Sequence, residues 1–272
     1  MLAANGLRIA SETSLGETAT VGIWIDTGSR YETPETNGVA HFLEHMSFKG
    51  TGKRSRVQLE QEVENIGGHL NAYTSREQTV FYAKVNKGDV PQAMDILSDI
   101  LTNSTYSEDA IEREREVILR EMQEVDGQME EVIFDRLHET AYRGTMLGAT
   151  ILGPTENIKS INRAQISDYI NTHYIAPRMV VAGAGAVEHE DLVKLSEKLL
   201  GSVPSAGKRS PVMEPAKFTG SDIRIRYDDM PAAHVALAFP TAGWNDPDSF
   251  SLLVRGLVWP CVVVSVEALS VR

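Results

Sequence analysis

The chain has 272 residues, of which 42% are hydrophobic and 24% charged, enough apolar material for a sizeable core and not a disordered composition. Thirty-eight acidic residues against 26 basic ones give a net charge of −12, which weighs against nucleic acid as a partner because phosphate binding needs a basic face. The single cysteine, Cys261, excludes an intrachain disulfide and confines any metal site to nitrogen and oxygen ligands.

The opening MLAANGLRIASETS has no charged-then-apolar leader and no Arg/Ser-rich amphipathic one, so no targeting segment is visible in it. TATVGIWIDTGSRYE alternates, is rich in β-branched residues and ends in a Gly-Ser turn, which predicts a strand. The stretch from about Val39 to Lys49 predicts a helix closed by Gly50. A second helix is expected in SRVQLEQEVENIGG, with Val57, Leu59, Val63 and Ile66 on its apolar side and Gly67-Gly68 as the stop. HLNAYTSREQTVFYAKV reads as two strands around a polar centre. VPQAMDILSDILTNS predicts another helix. A long helix follows from Ser107, an N-cap with Glu108 and Asp109 in the first turn, to about Tyr142.

Beyond it, NRAQISDYINTHY predicts a helix stopped by Pro177, RMVVAGAGAV a strand, and HEDLVKLSEKLLGSV a helix ended by Gly201. SAGKRSPVMEPAKFTGSD, rich in Pro, Gly, Ser and Lys, is the expected linker. The final GLVWPCVVVSVEALSV is apolar but contains Pro260 and Glu267, and falls short of the ~20 residues of a membrane helix, so no transmembrane segment is expected. Strands alternating with helices, including hairpin-like pairs, predict an α+β domain of the two-layer α/β kind.

One internal echo stands out. Thr20–Glu32 and His234–Asp246 match in pattern, each an apolar strand, a small-residue turn and a charged end. At the same offset His41 falls on Arg255 and His45 on Trp259, so a second copy would lack the histidines.

The chemistry centres on His41-Phe-Leu-Glu44-His45. Residues four apart share a helix face, so His41 and His45 present two imidazoles to one ion or, alternatively, form a buried pair of core histidines. Glu44 lies beside that face, where a carboxylate takes a proton from an attacking water. H-x-x-E-H is also the inverted zinc-protease signature.

A third ligand is sought among the carboxylates of the long helix. Glu121 has Val117, Ile118 and Val125 as neighbours, and Glu114, one heptad earlier, has Ala110, Ile111, Val117 and Ile118. Glu112, Glu116 and Glu124 have mainly charged or polar neighbours. A carboxylate on an apolar stripe is costly unless paired or metal-bound. Glu121 is therefore the preferred ligand and Glu114 a supporting group behind the ligands; the alternative is a helix-edge carboxylate or a structural ion pair.

GVAHFLEHMSFKGT, GGHLNAYTSREQTVFYAKV, EREREVILREMQEVDGQMEEVIFDRLHETAY and LGATILGPTENIKSI together resemble the β-type processing peptidases of the pitrilysin/insulinase clan, from about Asn5 to Val254. The resemblance implies a zinc endopeptidase that removes N-terminal targeting presequences from precursors imported into the mitochondrial matrix. It implies His41, His45 and Glu121 as ligands, Glu44 as general base and Glu114 as the supporting catalytic glutamate. Glu131 and Asp135, at i and i+4, correspond to the pair that holds the arginine before the cleavage point, a suitable bidentate partner for a guanidinium; the alternative is a solvated acidic face. Phe48 corresponds to the apolar contact for the residue after the cut. Asn71 and Ala72 correspond to the edge to which an extended substrate adds as a strand.

The resemblance also implies an α-type partner subunit with a glycine-rich substrate loop, and cationic presequence peptides as substrates. Structural core subunits of respiratory complex III share this fold, which makes such a role the alternative. The clan's members have two homologous halves. Residues 1–203 are thus expected to form the zinc-bearing domain, 204–221 a linker, 222–256 the truncated start of a second homologous domain, and 257–272 a divergent apolar tail. The expected fold is a mixed, largely antiparallel sheet packed by helices, and an inactive, truncated zinc-binding chain is the third reading.

Overall fold

The computed structural model describes residues 1–230, 233–243 and 246–258. Strand β1 (Arg8–Thr13) leads to β2 (Thr18–Ile25), after which the chain turns through Gly28 into helix α1 (Val39–Ser47). Helix α2 (Arg56–Asn65) begins with a capping box, Ser55 and Gln58 each bonding the other's backbone, and ends at Gly67-Gly68 as its glycines predict. The hairpin β3 (His69–Thr74) and β4 (Thr79–Asn86) follows, then α3 (Val90–Thr102).

Helices α4 (Glu108–Asp126) and α5 (Met129–Ala141) come next, then α6 (Thr155–Ser160) and α7 (Arg163–His173). The remaining elements are β5 (Met179–Gly185), α8 (His189–Leu200) and α9 (Ser249–Val258).

The sheet runs in the order β1-β5-β2-β4-β3. Only β1 and β5 pair in parallel; the other three pairings are antiparallel. The mixed, largely antiparallel α+β architecture expected from the sequence is therefore present. Central strand β2 buries Ala19, Val21, Ile23 and Ile25, the alternate residues that share one face. Helix α3 packs on β2 and β4, and α8 on β1, through Met94, Leu97, Ile100 and Leu192, all fully buried.

The structure departs from the sequence reading at several places, among them helix α6, which is not predicted. Strand β1 forms within the opening segment, for which no element is predicted. The long helix expected from Ser107 to about Tyr142 is two helices, broken at Gly127 and Gln128. There the bonds shorten to three-residue closures, Gly127 N to Glu124 O and Gln128 N to Val125 O, and Gln128 turns extended. Glycine in a helix interior costs about 1 kcal/mol relative to alanine, which marks the weakest point of the run. Helix α1 ends at Ser47, two residues before its expected end.

The strand expected near His234–Pro240 does not form. Val235, Leu237 and Phe239 are exposed, and no strand among the described residues bonds to this segment. An apolar alternation without a neighbouring ladder has nowhere to place its amides. Trp259, Cys261 and the rest of the expected tail beyond Val258 lie outside the described residues.

Among the described residues two compact units can be distinguished: Met1–Leu119 with Ile151–Val212, and Arg120–Thr150 with the chain from Met213 onward. The sheet with α1–α3 and α6–α8 belongs to the first. In the second, Ala141, Tyr142 and Leu147 are buried against Ala216 and Phe218, and Thr219 donates its amide to Ala141 O. Helix α4 is continuous across the division. No helix of the described residues is long and apolar enough to cross a membrane.

Candidate metal centre

Helix α1 is short and mostly buried, and its apolar residues Val39, Phe42, Leu43 and Met46 fix its rotation against the core. That rotation sets His41 and His45 side by side, their rings 4.6 Å apart between centroids in an edge-on arrangement. His41 is buried and His45 half-buried. Glu44, between them in sequence, is half-buried and accepts a 2.5 Å hydrogen bond from the Thr74 hydroxyl at the end of β3.

Helix α4 has the orientation its periodicity predicts. Ala110, Ile111, Glu114 and Ile118 are buried, Glu121 is half-buried, and Glu112, Glu116 and Glu124 are exposed. The buried Arg115 donates to the carbonyls of Ile158 and Ile161 and pairs with Glu112. These bonds hold α4 against the chain around α6.

Glu114 stands behind His45: its Oε1 lies 2.8 Å from His45 Nδ1, and its Oε2 lies 2.7 Å from Lys49 Nζ. A carboxylate only accepts, so Nδ1 carries the proton. Burial pushes the Glu114 carboxyl up, but the bonds from His45 and Lys49 outweigh it and hold the group below the usual carboxylate range. Glu121 lies two turns along the same helix from Glu114. His41, His45 and Glu121 each offer a ligand atom, and these atoms all lie within 4.8 Å of one another. Two imidazoles and one carboxylate are a donor set suited to zinc and similar divalent ions, with room for a further ligand.

The other singled-out residues divide. Asn71 and Ala72 lie on β3, one of the two edge strands of the sheet, whose Thr74 touches Glu44. Phe48 is half-buried and tilted against Phe81, 6.2 Å between centroids, so part of its surface belongs to the core. Glu131, exposed, and Asp135, half-buried, share a face of α5 in the second unit.

Two participants were not legible in the sequence. One is Thr74, whose contact with Glu44 depends on hairpin register. The other is Glu32, buried to 6% exposure ahead of α1. Its carboxyl is pushed up to about 8 by burial, against the pull of bonds from Asn37, Ala40 and Gly38.

A helix bearing His-x-x-Glu-His, with a third carboxylate ligand candidate on a second helix and a mixed sheet as support, defines a metallopeptidase-type chain. The chain belongs to the insulinase family, peptidase family M16, whose profile matches residues 8–155; a second profile, described as the Peptidase M16 inactive domain, matches residues 160–255. Membership in this metallopeptidase family implies a divalent metal.

Among curated relatives, the chain is 60% identical over 251 residues to the mitochondrial-processing peptidase subunit beta of Bos taurus, covering 92% of this chain and 51% of the relative. It is 58% identical over 254 residues to the probable mitochondrial-processing peptidase subunit beta of Arabidopsis thaliana, covering 92% and 48%. The chain thus spans about half the length of these relatives. A protease from Helicobacter pylori shares the fold, with a TM-score of 0.75 at 23% identity over 80% of this chain and 53% of that one.

Proposed function

We propose that this chain is the metal-bearing part of a zinc endopeptidase of the processing-peptidase β type, acting on cationic N-terminal presequences in mitochondria. The observation that carries the reading is the convergence of His41, His45 and Glu121 within 4.8 Å, with Glu44 on the same helix as both histidines. His41, His45 and Glu121 would hold the ion, His45 through Nε2 because Nδ1 is committed to Glu114. Zinc bound there supplies Lewis acidity toward the scissile carbonyl and acidifies water.

Glu44 takes the proton of the attacking water and returns it to the leaving amine, with Thr74 orienting its carboxylate. Extended substrate adds to the outer edge of β3 along Asn71 and Ala72. Glu131 and Asp135 receive an arginine side chain, and Phe48 receives the residue after the cut. Residues 1–203 form the metal-bearing domain in this reading, 204–221 the linker and 222–256 the opening of a second homologous domain. An α-type subunit supplies the rest of the substrate enclosure, and the matrix is the setting.

The test is to measure bound zinc in residues 1–272, then cleavage of an arginine-containing presequence peptide with and without an α-type partner, alongside Glu44→Gln. The expected outcome is one zinc per chain in both proteins, and cleavage that falls by about 10²–10⁴-fold in the variant. Cleavage unaffected by Glu44→Gln would overturn the mechanism, and folded protein without zinc would overturn the metal assignment.

A further inference from the structure

We propose that Glu32 is a positioning residue for the metal centre: the oxygens of its carboxyl group cap the start of α1 from six residues upstream and thereby fix His41. The inference rests on the metal-site reading above. A helix begins with amide N–H groups that lack intrahelical partners, normally satisfied by a Ser, Thr, Asp or Asn side chain at the N-cap. In α1 the N-cap is Gly38, which has no side chain to offer.

Gly38 cannot be exchanged for one of the usual caps. Its φ is +103°, and a Cβ there would sit 2.7 Å from both Leu152 O and Ile158 Cδ1. The cap must therefore come from elsewhere. Glu32 Oε2 accepts from Gly38 N at 2.9 Å and from Asn37 Nδ2 at 2.8 Å, while Oε1 accepts from Ala40 N at 2.7 Å. Val39 N is taken by Thr36 O at 3.0 Å. The amides of Gly38, Val39 and Ala40 are thus each tied down, two of them by a single buried carboxyl.

The position matters because α1 has only nine residues and His41 is its third. Fraying of one turn, harmless in a long helix, would here release a candidate ligand. Tyr169 secures the segment just upstream: its hydroxyl bonds to the Thr27 hydroxyl and donates to Gly28 O.

Glu32→Gln tests this. The amide keeps the size but replaces one accepting oxygen with a nitrogen that only donates, set among N–H groups. Cobalt(II) alone is titrated into metal-free protein and followed by its visible absorption. Wild-type protein is expected to bind one cobalt ion; Glu32→Gln is expected to bind about tenfold more weakly with a changed band pattern, a loss in the range of a missing cap or supporting bond. Ser55→Ala, which removes the cap of α2, is expected to leave the cobalt spectrum unchanged.

Unaltered affinity and spectrum in Glu32→Gln would overturn the inference. Should that variant not fold, Glu32→Asp, one methylene shorter but with both oxygens kept, is read in the same way. Should wild-type protein fail to bind cobalt, the metal-site reading falls instead. The cap is then judged by amide hydrogen exchange at Gly38 and Ala40, expected to be slow in wild type and at least tenfold faster in the variant; equal exchange rates would overturn it.

Discussion

His45 and Glu114 are joined by a 2.8 Å bond between Nδ1 and Oε1, on a carboxylate whose side chain is only 6% exposed and whose other oxygen is held by Lys49. The bond sets both the tautomer and the tilt of the imidazole, and leaves Nε2 on the ring edge away from Glu114. Glu114→Gln is expected to leave the fold intact and weaken zinc binding by about 10–100-fold, the usual cost of losing a partner behind a metal ligand. Competition with a chromophoric chelator for an added divalent ion measures it; affinity equal to wild type would show that the bond is incidental.

Gly38→Ala should damage the start of α1 directly. Left-handed backbone costs an L-residue about 1–2 kcal/mol, and the added Cβ meets Leu152 O at 2.7 Å. A loss of at least ~2 kcal/mol is expected in urea unfolding, accompanied by weaker metal binding. A variant as stable as wild type would contradict the geometry described for this turn.

Arg54 is the hub of a buried ion cluster that does not touch the metal centre. Its guanidinium meets Asp99 at 2.8 Å, Glu62 at 2.9 Å and Asp95 at 2.5 Å, with Asp99 only 3% exposed. Arg54→Ala leaves the buried Asp99 without its cation, while the partly exposed Glu62 and Asp95 keep access to water and Asp95 keeps Lys53; the loss of the buried partner costs about 3 kcal/mol. Thermal unfolding should show this loss while zinc stoichiometry stays at the wild-type value.

His173 predicts a pH dependence. Burial, reinforced by Arg178 and Arg209 and opposed by Asp168, lowers its pKa from 6.5 to about 4. Arg178 Nη1 lies 2.9 Å from Nδ1, an arrangement that fits a neutral ring accepting there. Between pH 6.5 and 4 the unfolded chain binds the proton and the folded one does not, so stability falls as pH falls through that window. The contribution is roughly 3 kcal/mol. His173→Asn, which keeps an acceptor near Nδ1, should flatten this part of the stability profile; an unchanged slope would contradict the assignment.

Much of the fold and the donor set was legible because the signals are local. Helical spacing puts His41 and His45 on one face, and the apolar stripe of α4 distinguishes Glu114 and Glu121 from Glu112, Glu116 and Glu124. Other features were not legible for equally physical reasons. The break at Gly127-Gln128 depends on a single weak point in a strongly helical run. The apolar alternation near Val235 resembled β2, but a strand exists only with a partner to bond.

By itself the sequence picked out the candidate metal-ligating residues and which helix faces turn inward, since both follow from residue type and a period of 3.6. Only the tertiary structure decided that Glu114 grips His45, that Thr74 holds Glu44, and that Glu32 begins α1 where Gly38 cannot. It also decided that β5 lies between β1 and β2. Each of these joins residues distant in sequence or turned by a backbone conformation, and such pairings depend on packing and register that no local pattern encodes.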